Sequence, residues 1–226
     1  AMFPTLTKIA DRKDEFTRAV LSVFSGVAIL CLFVSACLLV TAPEVVAVVL
    51  GSKWSHAAPL MKWMAVFGGF SALVLILEMP LWVAGKTHLS AAQTWLELAV
   101  IVPATVLAVR GFGAEGAAAA RAGVSVLMVP LMMVFTERAG SVSFRELAGT
   151  LWRPLIAAVV MATVVHGLPI DDQLPALVRL MIKLAVSTML YPLLLLLLWL
   201  ACGRPDGIEA TVVNRFRLIR SKRRVV

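Results

Sequence analysis

The chain has 226 residues, 61% of them hydrophobic, with a mean hydropathy of +0.94 and a formal charge of +8. Soluble domains are about 45–50% apolar, so an ordinary soluble fold is excluded. The basic excess flanks apolar windows and therefore reads as charge for anionic lipid headgroups rather than for nucleic acid.

Residues 1–18 are mixed and charged, with Phe3-Pro4-Thr5-Leu6 followed by Lys8, Arg12, Lys13 and Arg18. No cleavable signal peptide is visible and Ala1 is not an initiator Met, so the chain is expected to begin partway through a longer protein. The first apolar window is Ala19–Thr41. About 20 apolar residues at 1.5 Å each cross a ~30 Å hydrocarbon core. Residues Ala42–Ala65 then read as a hinge. Pro43 suits a first helical turn, Glu44 suits its positive end, and Gly51 offers a left-handed stop. That helix is too short to span, and Trp54 behind it belongs at a membrane–water interface.

The second window, Pro59–Ala84, ends at the small-residue turn Ala84-Gly85-Lys86, and Leu89–Val109 follows. Gly111, Gly113 and Gly116 match the dinucleotide-binding spacing, but that motif needs a strand before it and a βαβ unit around it. Apolar helices lie on both sides here, so a tight outer turn is expected. With Ala117–Ala120 the glycines also form a small-residue face for close helix packing. The windows Ala114–Phe135, Leu151–Leu168 and Pro175–Cys202 complete the series. The expected fold is all-α: a polytopic bundle of six transmembrane helices over residues 1–202, with a basic cytoplasmic tail over 203–226. In that tail Ile208, Val212, Phe216 and Ile219 fall on one helical face beside Arg215, Arg217 and Arg220, as in an interfacial helix.

Sidedness follows from Lys and Arg placement. One set of loops and tails carries Lys8 to Arg18, Lys86, Arg138, Arg145, Arg153 and the basic tail. The opposite loops carry Lys53 and Arg110, with Asp171 and Asp172. Both termini are therefore expected in the cytoplasm.

Enzyme chemistry finds no footing. Asp171-Asp172 has no second acidic cluster, His56, His88 and His166 lie singly without ligand spacing, and no nucleophile–base pair is legible. Cys31, Cys37 and Cys202 read as small hydrophobes. No catalytic residue, metal site or cofactor is expected.

Ionisable residues at membrane depth are costly and are candidates for function. Lys62, Arg121, Arg179 and Lys183 lie in the first third of inward-running helices, where each can snorkel to the outer headgroups or line an anion site. Arg179 and Lys183 are four apart on one face, where an anion between them would relieve their repulsion. Glu78 leans toward the apolar centre and needs a partner or a proton. Glu97 lies at similar depth on the next helix, so the two can face each other or a common cavity. Pro80, Pro103, Pro130 and Pro192 fall inside spans, as kinks or as hinges.

Several residues together resemble a known family. Ala42-Pro43-Glu44, Leu50-Gly51, Trp54, Ala58-Pro59-Leu60 and Ala84-Gly85-Lys86, in that order, resemble the polysaccharide flippases of the multidrug/oligosaccharidyl-lipid/polysaccharide exporter superfamily. Phe3-Pro4-Thr5-Leu6 and Gly113–Ala119 are weaker matches, and the likeness runs from about Met2 to Ala120. The resemblance implies a bacterial inner-membrane protein that flips a polyprenyl-diphosphate-linked oligosaccharide. It also implies that this chain holds the C-terminal part, with an N-terminal lobe elsewhere in the same protein. Membrane lipids, the lipid-linked oligosaccharide, and polysaccharide polymerase and assembly proteins would be its partners. In that setting Arg121, Arg179, Lys183 and Lys62 would meet the diphosphate, and Glu78 and Glu97 would serve ion coupling. Other readings are an exporter of drugs or of the peptidoglycan lipid precursor, or a membrane enzyme of polysaccharide assembly.

Overall fold

The computed structural model describes residues 13–171 and 173–201. The tail over 203–226, Cys202, Asp172 and the Phe3–Leu6 stretch lie outside the described residues. Among the described residues there are five helices and no strand: α1 (Lys13–Val49), α2 (Ala57–Val83), α3 (Thr87–Arg138), α4 (Phe144–His166) and α5 (Ala176–Ala201). All five are long and apolar enough to cross a membrane.

Helix α1 is the hub. Phe16, Val20, Phe24, Ala28, Leu32, Ala36 and Val40 recur every four residues and are buried, which gives one continuous stripe. Around it α1 packs against α2, α4 and α5, while α2 packs on α3 and α4 on α5. The α1–α2 crossing is close because Gly69 has no side chain. A Cβ there would stand 2.7 Å from the Ser35 Cβ. Ser35 instead donates its hydroxyl to the Ala65 carbonyl at 2.7 Å.

Helix α1 departs from expectation at its far end. Its described residues run from Lys13. It continues through Pro43 to Val49, so the separate short interfacial helix expected over residues 43–50 does not form. Gly51 does supply a positive-φ stop (φ 87°), and a short 3-10 turn, Ser52–Trp54, follows. Pro80, Pro103, Pro130, Pro154 and Pro192 also sit inside helices, whereas Pro169 and Pro175 lie in the loop before α5.

Helix α3 has 52 residues and would be about 78 Å long if straight. It is not straight. Gly113 leaves helical geometry (φ 59°, ψ −141°) and the chain folds back there. Arg121 meets Glu97 at 2.8 Å, although 24 residues of straight helix would hold them about 36 Å apart. Residues 87–112 and 114–138 are therefore antiparallel limbs of a helical hairpin. Helix α4 starts at Phe144, seven residues before the expected window, because the Glu146 carboxylate accepts the Ser143 N–H at 3.2 Å and caps the helix.

The two ends of the bundle are distinct. Thr17 donates to the Ser141 carbonyl, and the Lys86 ammonium reaches the Arg138 and Ala139 carbonyls. These bonds gather the start of α1, the α2–α3 turn and the α3–α4 turn at one end. Lys183 pairs with Glu44, and Tyr191 donates to Ile29, so α5 runs antiparallel to α1 and finishes at that same end. The Gly51 turn and the Gly113 fold lie at the other.

Candidate functional site

Helices α2 and α3 enclose a polar cavity. The Gly85 turn (φ 68°) sets the first limb of α3 antiparallel to α2, and the Gly113 fold returns the second limb to the same place. Glu78 on α2, Gln93, Thr94 and Glu97 on the first limb, and Arg121 and Ser125 on the second line a cavity of about 200 Å³ with Ser71.

Within it Glu97 is fully engaged. Arg121 Nη1 donates to one carboxylate oxygen at 2.8 Å and Gln93 Nε2 donates to the other at 2.9 Å. The Arg121 guanidinium also lies over the Phe67 ring, 4.6 Å from its centroid, which adds a cation–π contact. Glu78 is half-buried in the same cavity, with the Ser90 hydroxyl as a hydrogen-bond partner and Glu97 close enough to repel it. Two carboxylates against one guanidinium leave a net charge of −1 when all three are ionised. A proton or one monovalent cation would balance that charge.

The second buried ion pair lies between α1 and α5. Lys183 Nζ stands 2.5 Å from Glu44 Oε1 and also donates to the Val40 carbonyl at 3.3 Å. The two side chains are 15% and 6% exposed, and the other oxygen of Glu44 is buried with no hydrogen-bond partner among the described residues. Lys183 opens a stripe on α5 that continues through the buried Ser187, Tyr191, Leu195 and Trp199.

Sequence reading and structure agree on part of this. Glu78 and Glu97 do line one cavity. Arg121 and Lys183 are not brought together: each has its own carboxylate, on different helix pairs. Arg179 is half-buried one turn outward of Lys183 on the same face. Lys62 is half-buried near the start of α2, with no ion pair to a described residue. Glu44 and Gln93 were missed. Gln93 is 2% exposed and one helical turn before Glu97, a polar i, i+4 pair that could have flagged it. Glu44 carried a local explanation as a helix start, and its partner is 139 residues away.

A family model described as polysaccharide biosynthesis protein matches residues 1–59, which include α1, the Gly51 turn and the first residues of α2. No curated protein and no solved structure matches the chain. The match supports a polysaccharide-biosynthesis family and a role in polysaccharide biosynthesis or export. With five long apolar helices it makes the chain a multi-pass membrane protein.

Proposed function

We propose that the chain is the C-terminal transport part of a flippase that moves a polyprenyl-diphosphate-linked oligosaccharide across the bacterial inner membrane. The observation that carries this reading is the polar cavity at membrane depth, holding one carboxylate more than it has cations, in a chain whose first 59 residues match a polysaccharide-biosynthesis family. A structural anchor or assembly subunit has no need of such a cavity, because ionisable groups in hydrocarbon are expensive.

In this reading α3 crosses the membrane twice, which gives six crossings with both termini in the cytoplasm. Glu97 is the fixed charge, held by Arg121 and Gln93. Glu78 is the exchanging group that takes a proton or a monovalent cation as the protein changes state. Lys183 and Arg179, and Lys62 on α2, are the candidates to meet the diphosphate, while Arg121 serves Glu97. The exposed apolar faces, among them Trp95, Leu107, Met181 and Met189, would meet lipid or the N-terminal lobe.

The test is Glu78→Gln in the complete transporter. Glutamine keeps the shape and removes the exchangeable charge. Export of the oligosaccharide, measured against the amount of protein in the membrane, should fall at least tenfold while expression is unchanged. Unchanged export would leave Glu78 a structural residue and remove the basis for coupling at this cavity.

A further inference from the structure

Helix α1 is continuous across a residue that favours a break. Pro43 has no N–H for the Leu39 carbonyl, and its ring crowds the preceding turn. Proline followed by glutamate suits the start of a new helix instead. A contact from another helix spans this point. The Lys183 ammonium bonds to the Val40 carbonyl on one side of Pro43 and to the Glu44 carboxylate on the other. One cation on α5 thus bridges the two halves of a proline-containing helix.

The bridge is an unusual way to join two helices. Buried ion pairs are commonly no better for stability than well-packed apolar pairs, and Ser187, Tyr191, Leu195 and Trp199 already join α5 to the bundle. Glu44 is also an incomplete partner, since its second oxygen is buried and has no hydrogen-bond partner among the described residues. A phosphate-type oxyanion offers Lys183 more charge and more acceptor oxygens than this carboxylate does. Once Lys183 has turned to such an anion, Glu44 has no counter-ion and is better placed in water. Pro43 permits that swing. The segment it would carry is short and ends in Val48, Val49 and Leu50, all of them exposed.

We propose that Lys183 is an anion-operated clamp on a proline hinge in α1. Paired with Glu44, it holds residues 44–49 in line with the rest of the helix. A phosphate-type oxyanion that takes the ammonium releases them. The identity of the natural anion as a transported lipid diphosphate rests on the function proposed above; the clamp itself does not.

The hinge is read directly by electron–electron distance measurement between spin labels on Leu30→Cys and Val49→Cys, both at exposed positions, with Cys31, Cys37 and Cys202 replaced by alanine. On a continuous helix these sites are about 28 Å apart at 1.5 Å per residue. The full chain in phosphate-free maltoside micelles should give one narrow distribution near that distance. Lys183→Met and Glu44→Gln should each give a shorter, broader one without any ligand. Adding Pro43→Ala to Lys183→Met should restore the narrow distribution. Inorganic pyrophosphate should shorten the distance in the otherwise unmodified chain and leave Pro43→Ala unchanged. Phosphatidylglycerol added alone distinguishes a lipid headgroup from a free diphosphate as the source of the oxyanion. A narrow distribution near 28 Å in both Lys183→Met and Glu44→Gln would overturn the clamp. No response to either phosphate probe would overturn its operation by anions. Absence of oligosaccharide export by the complete, unsubstituted protein, with these distances as expected, would fault the flippase reading alone.

Discussion

At the scale of single residues, neighbours set the role of each charge. Glu97 and Glu78 share a cavity, yet Glu97 has a donor on each oxygen and Glu78 does not have the guanidinium. The Arg121–Glu97 pair is only partly covered, at 39% and 25% exposed, and borders the cavity, where water would screen its attraction. A double-mutant cycle with Arg121→Gln and Glu97→Gln should therefore give a coupling of about 0.2–1 kcal/mol by thermal unfolding in micelles. A coupling of several kcal/mol would mean that the cavity is dry. Tyr191 tests a second contact: its hydroxyl donates to the Ile29 carbonyl at 2.9 Å in a buried position. Tyr191→Phe should destabilise the fold by about 1 kcal/mol, since it removes one hydrogen bond and little packing. The depth of Glu78 could be read by counting along its helix. The Glu44–Lys183 pair could not, because nothing local records a partner 139 residues away.

At the scale of elements, apolar windows marked where helices lie, and short-range chemistry decided where they begin, end or fold. Capping by Ser143 and Glu146 moved the start of α4 ahead of its apolar window. Gly113 holds a positive φ with nothing within 4 Å of where a Cβ would stand. Its role is backbone conformation alone, so Gly113→Ala should lower stability by about 1–3 kcal/mol through strain. Gly69 is the opposite case. Its φ is ordinary, but an added Cβ would press on Ser35 at 2.7 Å. Gly69→Ala should lower the unfolding temperature by parting α1 from α2, and Ser35→Gly in the same chain should recover part of the loss. An unaltered unfolding temperature in Gly69→Ala would mean that the two helices are not tightly held there.

At the scale of the whole molecule, the arrangement has two ends of different charge. Lys86, Arg138 and Arg145 lie in or beside the turns of one end, and Lys53 and Arg110 lie near the turns of the other. Six crossings with cytoplasmic termini predict that cysteines at Ser55 and Phe112 react with an impermeant reagent added outside intact cells. A cysteine at Thr87 should be protected until the membrane is opened. Phe112 is the decisive site, being 79% exposed at the Gly113 fold. Labelling of Phe112→Cys from the Thr87 side would mean that the α3 hairpin does not cross twice.

The sequence by itself determined that the chain is helical and membrane-embedded, and roughly where the long apolar segments lie. Those properties are local: hydropathy, helical spacing, and glycine and proline conformation act over a few residues. Only the tertiary structure decided that Glu97 is engaged by Arg121 and Gln93, that Lys183 belongs to Glu44, and that α1 continues through Pro43. Rotation of each helix about its axis settles such pairings. That rotation follows from packing between distant segments, as in the Gly69–Ser35 approach and the four-residue stripe of α1.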